Sequence, residues 1–331
     1  MLSKLVAEFG ELPVSQKALL VAAGVGSIAM LSAGGYLVKK RIDNTPPKQW
    51  RKAGELVELY VYPIKSCAPV VMQQIDCANL GPQRNFLRDR IFMVTNADGK
   101  FVTARMKPKL VLVQPRFDER YETMFLTAPG MPELQVDVRT LAAGPTEGGE
   151  TIRSTVWGEQ VPTVDCGNEV ARWFSRYLLD KEDGYRLRYY PLTYTSRQRS
   201  GDDTGSLQDE TSYMLFNESS VTDLNRRLEN KVTVVQFRPN FTVRGPEPYA
   251  EDRWRWVRIG EVVFRMEKPC LRCVFTTIDP TSGVFHPDKE PLRTLKQYRQ
   301  LPSYGESPAF GIHLGLRRAG EIKLGDPVYF A

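Results

Sequence analysis

The chain has 331 residues with 45 Lys+Arg against 39 Asp+Glu, and its 42% hydrophobic and 25% charged content suits a globular protein long enough for two packed domains. Its formal net charge of +6 is spread too thinly for a nucleic-acid-binding stripe, so no nucleic acid is expected, and an anionic cofactor, a membrane surface or an acidic partner is. Five cysteines do not make a disulfide scaffold at this length and read as reduced thiols, while two histidines, His286 and His313, poorly support a histidine-rich metal site or a His-based triad.

After an N-terminal segment of residues 1–17, the run from Ala18 to Val38 carries no charge and is long enough to span a bilayer as one helix. It passes into Lys39-Lys40-Arg41 without a small-residue cleavage site, which favours an uncleaved anchor over a signal peptide. Glycine at positions 24, 26, 34 and 35 argues against a buried core helix. The basic cluster on the C-terminal side places everything after it in the cytosol. Basic flanks and modest hydrophobicity fit a single-pass anchor of the mitochondrial outer membrane, although sequence alone separates this membrane poorly from the endoplasmic reticulum.

Residues 39–53 form a linker stiffened by Asp43-Asn44-Thr45-Pro46-Pro47, and the folded part begins near Gly54. Strands are predicted at Leu56–Tyr62, Ile91–Val94, Leu110–Gln114 and Leu134–Val138, followed by a helix over Asn168–Leu179 in which Val170, Phe174 and Tyr177 recur at helical spacing. A second set opens with a strand at Arg186–Tyr190 and crosses a Gly/Asp/Ser loop at Ser200–Ser206. A helix then starts at Ser220, with Asp223 placed for a capping box. Trp254–Met266 reads as a hairpin turning at Ile259-Gly260-Glu261, Pro291–Arg299 as helical, and Gly320–Phe330 as closing strands. The class is α+β, rich in β.

The stretch Lys268-Pro269-Cys270-Leu271-Arg272-Cys273-Val274-Phe275-Thr276-Thr277 crowds two thiols and several cationic or donor groups into a turn expected to lead into an apolar strand. Such surroundings lower a thiol's pKa, and a thiolate is a soft ligand suited to zinc, iron–sulfur clusters or molybdenum. Zinc and clusters usually want four ligands, and no second cysteine pair or nearby histidine completes such a set. Spacing alone leaves two readings open, a buried structural pair and a redox or metal site. Cationic groups also stand in Tyr62-Pro63-Ile64-Lys65-Ser66-Cys67, Leu87-Arg88-Asp89-Arg90 and Phe237-Arg238-Pro239-Asn240. Singly, each reads as a solvated charge or a structural ion pair; together they would make a pocket for a polyanion.

Taken in order, Tyr62-Pro63-Ile64-Lys65-Ser66, Asp89-Arg90, Phe237-Arg238-Pro239-Asn240, Cys270-Leu271-Arg272-Cys273 and Gly325-Asp326-Pro327-Val328 resemble the MOSC family, and within it the mitochondrial amidoxime reducing components. Thr276-Thr277-Ile278-Asp279-Pro280 after the cysteines adds to the likeness, which runs from residue 54 to the chain's end. The resemblance implies a MOSC N-terminal β-rich domain over residues 54–183 and a MOSC β-barrel domain over 184–331, enclosing molybdenum cofactor. In that cofactor a pyranopterin dithiolene bearing a phosphate supplies two sulfurs and the protein one. Position by position, the metal-ligating and catalytic cysteine falls on Cys273, with Cys270 a neighbour. Cofactor contacts fall on Lys65, Ser66, Arg90, Arg238 and Arg272, and less closely on Asp209 and Thr211. The family often has Ser at the positions of Leu271 and Thr211 and Tyr at that of His313, so the sequence leaves the roles of Leu271 and His313 open.

The implied activity is reduction of small N-hydroxylated compounds, such as amidoximes, hydroxylamines and N-hydroxylated bases. No G-x-G-x-x-G lies between a strand and a helix, so electrons are expected from partners, which in the family are NADH-cytochrome b5 reductase and cytochrome b5. The competing reading is a non-catalytic molybdenum cofactor or sulfur carrier of the MOSC type. Against a sulfurase, the residues after the anchor leave no room for a pyridoxal-binding domain. The physiological substrate and the oligomeric state are not legible in the sequence.

Overall fold

The valine- and tyrosine-rich run predicted to open the fold does so as the strand Arg51–Val61, and proline at position 63 takes the chain out of it one residue beyond Tyr62. The computed structural model describes residues 44–144, 151–191 and 205–331, together with Pro13 and Thr193. The predicted membrane segment 18–38 and most of the Ser200–Ser206 loop lie outside the described residues. Among the described residues, no helix is long and apolar enough to cross a membrane.

Within the unit Lys48–Ala331, seven strands among the described residues close a barrel. Their order is Phe241–Arg244, Tyr213–Asn217, Ala309–Arg318, Val262–Leu271, Trp256–Ile259, Pro327–Phe330 and Arg51–Val61, the last pairing back on the first, while Val70–Met72 adds to Arg51–Val61. Closure depends on Gly54, because a Cβ there would sit 1.9 Å from the Arg244 carbonyl oxygen. Alternating apolar residues of these strands, among them Leu56, Leu59, Val257, Phe264, Ile312 and Val328, fill the interior. The N-terminal strand thus belongs to a barrel built mostly from the C-terminal half, and this delivers the Tyr62–Ser66 stretch to the same place as the cysteines.

Residues between these contributions form a five-stranded sheet in the order Ile152–Val156, Glu159–Asp165, Tyr185–Tyr189, Phe92–Asn96, Phe101–Val102. The helix Asn168–Leu179 packs on it through Val170, Trp173, Phe174 and Leu178, within the bounds its periodicity predicts. The hairpin of Trp256–Ile259 with Val262–Leu271 and the helix Leu292–Tyr298 also lie where expected. Gly320–Lys323 and Pro327–Phe330 are both strands but join different sheets.

Four local expectations are corrected. Leu110–Gln114 is not a strand: Pro108 opens a 3-10 helix over Pro108–Leu112 that buries Leu110 and Val111, and the strand begins only at Gln114. The helix expected from Ser220 starts at Glu218, because the Asn217 side chain accepts from the Ser219 amide at 3.0 Å and caps it. Asp223 makes no capping box; it pairs with Arg227 at 3.1 Å and accepts from the Tyr249 hydroxyl at 2.7 Å. Cys273 leads into a 3-10 turn, Val274–Thr277, not a strand. There the hydroxyls of Thr276 and Thr277 donate to the carbonyls of Cys273 and Val274 at 2.9 and 2.8 Å, which turns the chain back on itself.

Candidate functional site

The strand Val262–Leu271 pairs with Ala309–Arg318, but its register shifts between Met266 and Lys268 and again between Pro269 and Leu271. Pro269 has no amide hydrogen to give the ladder, and such irregularities bend a strand and re-aim its side chains. Cys270 consequently turns inward beside Met214, its sulfur 3.8 Å from the thioether, in an apolar cluster with Phe216, Phe237 and Phe310. Burial pushes its thiol up, only partly offset by Arg272. Three residues on, Cys273 is exposed to the cavity described below. Between them Arg272 is buried, its Nε donating to the Phe310 carbonyl at 2.8 Å and its Nη1 to the Phe237 carbonyl at 2.9 Å. This guanidinium fixes the turn on which Cys273 is presented.

Asp89 ties together stretches far apart in sequence. Fully buried, its carboxylate accepts from the Tyr62 amide at 2.9 Å, from Asn240 Nδ2 at 3.1 Å and from Arg90 Nη1 at 2.6 Å. Arg90 Nη2 in turn donates to the Arg238 carbonyl at 3.2 Å, and Arg238 Nη1 donates to the Cys67 carbonyl at 2.6 Å. Both guanidinium groups lie on the Tyr62 ring, at 4.5 and 4.2 Å from its centroid. Burial foremost, with the charge of Arg90 adding, brings Arg238 down to about 10. Arg238 Nη2 is buried and has no hydrogen-bond partner among the described residues. Ser66, Arg90 and Arg238 all adopt left-handed backbone, with φ of 73°, 47° and 59°. Non-glycine residues take this conformation at a cost, and its clustering here is the pattern of a site held by its surroundings.

Lys65 lays down a further part of the cavity, its Nζ donating to the Leu207 carbonyl at 2.8 Å and pairing with Asp209. Trp157 Nε1 donates to Asp209 at 2.7 Å, and Arg105 approaches that carboxylate to 3.7 Å. Burial disfavours the charged form of Asp209, yet Lys65, with the Trp157 hydrogen bond, outweighs it and holds the carboxyl well below the usual carboxylate range. Arg105 stacks over Trp157 at 4.7 Å and points Nη1 to within 4.0 Å of Cys273 Sγ. Thr211 donates to the Tyr213 carbonyl at 2.8 Å and lies 3.1 Å from His313 Nδ1.

One cavity of about 600 Å³ takes in all of the residues singled out from the sequence: Lys65, Ser66, Arg90, Asp209, Thr211, Arg238, Arg272 and Cys273. It also holds Leu271 and His313. Among them Arg272 stands apart, since its donors are engaged with main-chain carbonyls. Sequence reasoning missed Arg105 and Trp157. Arg105 carries no motif; Trp157-Gly158 is a tight turn with φ of 52° at the tryptophan, and an aromatic at such a tip was the available signal. Among the described residues, no group of three or more His, Cys, Asp or Glu side chains could hold a metal ion. The arrangement offers one open thiol facing a set of cationic donors, which suits a ligand that is anionic at one end and able to take a thiolate at the other.

Residues 53–181 match the family model of the MOSC N-terminal β-barrel domain, and residues 202–329 that of the MOSC domain. The chain is 37% identical to mitochondrial amidoxime reducing component 2 of Bos taurus, over 85% of this chain and 84% of that protein. It is likewise 37% identical to mitochondrial amidoxime-reducing component 1 of Homo sapiens, over 84% of this chain and 83% of that one. Component 2 of Rattus norvegicus is 34% identical over 94% of this chain and 92% of its own length.

Proposed function

The chain belongs to the MOSC-domain family of the mitochondrial amidoxime reducing components, and on that premise we infer that it is a molybdenum-cofactor-dependent reductase of small N-hydroxylated compounds. A single observation carries this reading: the exposed Cys273 thiol opens onto a cavity that also holds Arg238, with a buried Nη2 that nothing among the described residues satisfies. A buried, unpaired guanidinium N–H is costly unless a ligand completes it. The phosphate and polar edge of a pyranopterin would do so.

Cys273 would give the metal its one protein thiolate, and Lys65, Arg90 and Arg238 would hold the anionic end, with Ser66, Asp209 and Thr211 completing the polar wall. Arg272 would act through the turn it fixes. When bound, the cofactor supplies the two-electron exchange by which an N–O bond is cleaved. The net change takes an amidoxime, two electrons and two protons to an amidine and water. The chain's own part is to bind and orient, and to keep a cationic surface around the reacting groups. Electrons would come from NADH through cytochrome b5 reductase and cytochrome b5. An anchor at residues 18–38 in the mitochondrial outer membrane, with the folded part in the cytosol, would raise the local concentration of those partners.

The test is substrate-dependent NADH consumption with benzamidoxime, using the full-length protein with cytochrome b5 and its reductase, and with molybdenum and pterin quantified in the same preparation. One NADH per benzamidine formed is expected. Bound pterin without turnover of any N-hydroxylated substrate would instead mark a non-catalytic cofactor carrier, and absence of pterin from protein made in a cofactor-competent host would overturn both readings.

A further inference from the structure

His313 lies on the strand Ala309–Arg318, in register with Lys268, and its ring lines the cavity. Gly311, two residues earlier, has φ of 78°, and a Cβ there would meet the Phe216 ring at 2.6 Å, so the strand is pressed close against Tyr213–Asn217 where His313 leaves it. The Nδ1 atom is 3.1 Å from Thr211 Oγ1, and that hydroxyl is 2.8 Å from the Tyr213 carbonyl oxygen. A carbonyl only accepts, so the single hydroxyl hydrogen is committed to Tyr213 and Thr211 meets the ring with a lone pair. Nδ1 must therefore carry a hydrogen. In a neutral ring Nε2 is then a bare acceptor, and it has no partner among the described residues.

Neutrality follows from the surroundings. Burial first, then the charges of Arg272, Lys268 and Arg90, oppose a second proton, with only Asp209 favouring it, and the ring is held down to about 3. A neutral ring acceptor differs both from the cationic donors of this cavity, Lys65, Arg90, Arg105 and Arg238, and from its carboxylates, Glu159, Asp209 and Glu210. The carboxylates of Asp209 and Glu210 are already engaged by Lys65 and Lys268.

We propose that His313, with its tautomer set by Thr211, is a hydrogen-bond acceptor that reads an N–H or O–H donor on the molecule occupying the cavity. Naming that molecule rests on the reductase reading: the donor is either a ring N–H of the pterin or the N–H or O–H of the N-hydroxylated substrate. The tautomer itself does not rest on it.

The chain's two histidines make the assignment measurable. His286 Nδ1 accepts from the Asp288 amide at 3.2 Å, so its hydrogen sits on Nε2, the opposite tautomer. Histidine-selective nitrogen-15 spectra of the full-length protein, recorded above the ordinary histidine titration range and assigned with His286→Gln, should show a protonated Nδ1 and a bare Nε2 for His313. Thr211→Val should shift that ring towards a mixture. A protonated Nε2 or a doubly protonated ring in the wild type overturns the proposal whatever the variants do. In His313→Leu, loss of bound pterin identifies the cofactor as the donor. Unchanged pterin with a KM for benzamidoxime raised roughly three- to tenfold at constant kcat identifies the substrate, as loss of one neutral hydrogen bond would. Either defect should be rescued in part by His313→Gln, whose amide oxygen also accepts. If pterin content and KM are both unchanged in His313→Leu, the acceptor role is wrong. If the wild type proves inactive but the tautomer and the pterin loss are as stated, the reductase reading fails and the His313 assignment stands.

Discussion

Two walls of the cavity each carry a buried or half-buried arginine, and the two guanidinium groups are used in opposite ways. On the wall made by the end of the strand Val262–Leu271, Arg272 gives its Nε and Nη1 to the carbonyls of Phe310 and Phe237, and the thiol beside it, Cys270, is packed among aromatic rings. On the wall made by the left-handed corner at Arg238, Nη1 donates to the Cys67 carbonyl while Nη2 stays buried and has no partner among the described residues. Burial alone would rank Arg272 as the better ligand contact. The donor inventory reverses that order, because a satisfied guanidinium stabilises the chain and an unsatisfied one stabilises whatever completes it. The two cysteines flanking Arg272 divide in the same way, Cys270 being packed beside Met214 in an apolar cluster and Cys273 exposed.

The sharpest way to break this division is to exchange the sulfurs. Cys273→Ser replaces a soft thiolate by a hard, poorly ionised hydroxyl and should abolish benzamidoxime reduction in the reconstituted system, even where pterin stays bound through Lys65, Arg90 and Arg238. Cys270→Ser should keep substantial activity and lose stability, because it buries a hydroxyl in an apolar cluster. Equal loss of turnover in both would mean that the two thiols act as a pair. An active Cys273→Ser enzyme would sink the ligand assignment.

Next in size is Arg272→Ala, which strips buried carbonyls of their donors and should cost roughly 3 kcal/mol of stability in urea unfolding of the cofactor-free protein. Arg238→Ala should do the reverse. It removes charge-assisted hydrogen bonds of about 1.5–3 kcal/mol each from a bound anion, so pterin content should fall while cofactor-free stability changes less than in Arg272→Ala. Were the two variants to lose pterin equally with equal destabilisation, the contrast between the walls would have no content.

Much of this was legible before the fold was known, and the limits have physical causes. Alternation and helical spacing located the part of Arg51–Val61 from Leu56 on, Asn168–Leu179 and the hairpin of Trp256–Ile259 with Val262–Leu271 because each buries one face of a regular element. Leu110–Gln114 misled because a short apolar run has no period to distinguish a strand from a 3-10 turn begun by Pro108. At the site, Lys65, Arg90, Arg238 and Cys273 were visible through their motifs. Asp89 stood in its motif but gave no sign of being the hub, since its partners Tyr62 and Asn240 lie 27 and 151 residues away. Arg105 and Trp157 reach the cavity only through the pairing of the five-stranded sheet, and nothing in their local sequence encodes that.

The smallest expected effect concerns Asp209, which pairs with Lys65 while facing Arg105 near Cys273. Its carboxyl is held below the ordinary range in the folded chain, so the unfolded chain takes up a proton first as pH falls. The stabilisation is therefore fully present above the unfolded value of about 3.9 and is lost as pH drops from there towards the folded value. The Asp209 side chain is 45% exposed, and solvent screening limits the contribution to about 1 kcal/mol or less. Asp209→Asn keeps the shape and an acceptor for Trp157 but removes the charge. Urea unfolding should show the variant weaker than the wild type by that small amount, constant between about pH 5 and 8, with the gap narrowing below about pH 4 as the wild type loses its own charge. A gap that widened on acidification would mean that the carboxyl is held up, not down, and that Lys65 is not its dominant neighbour.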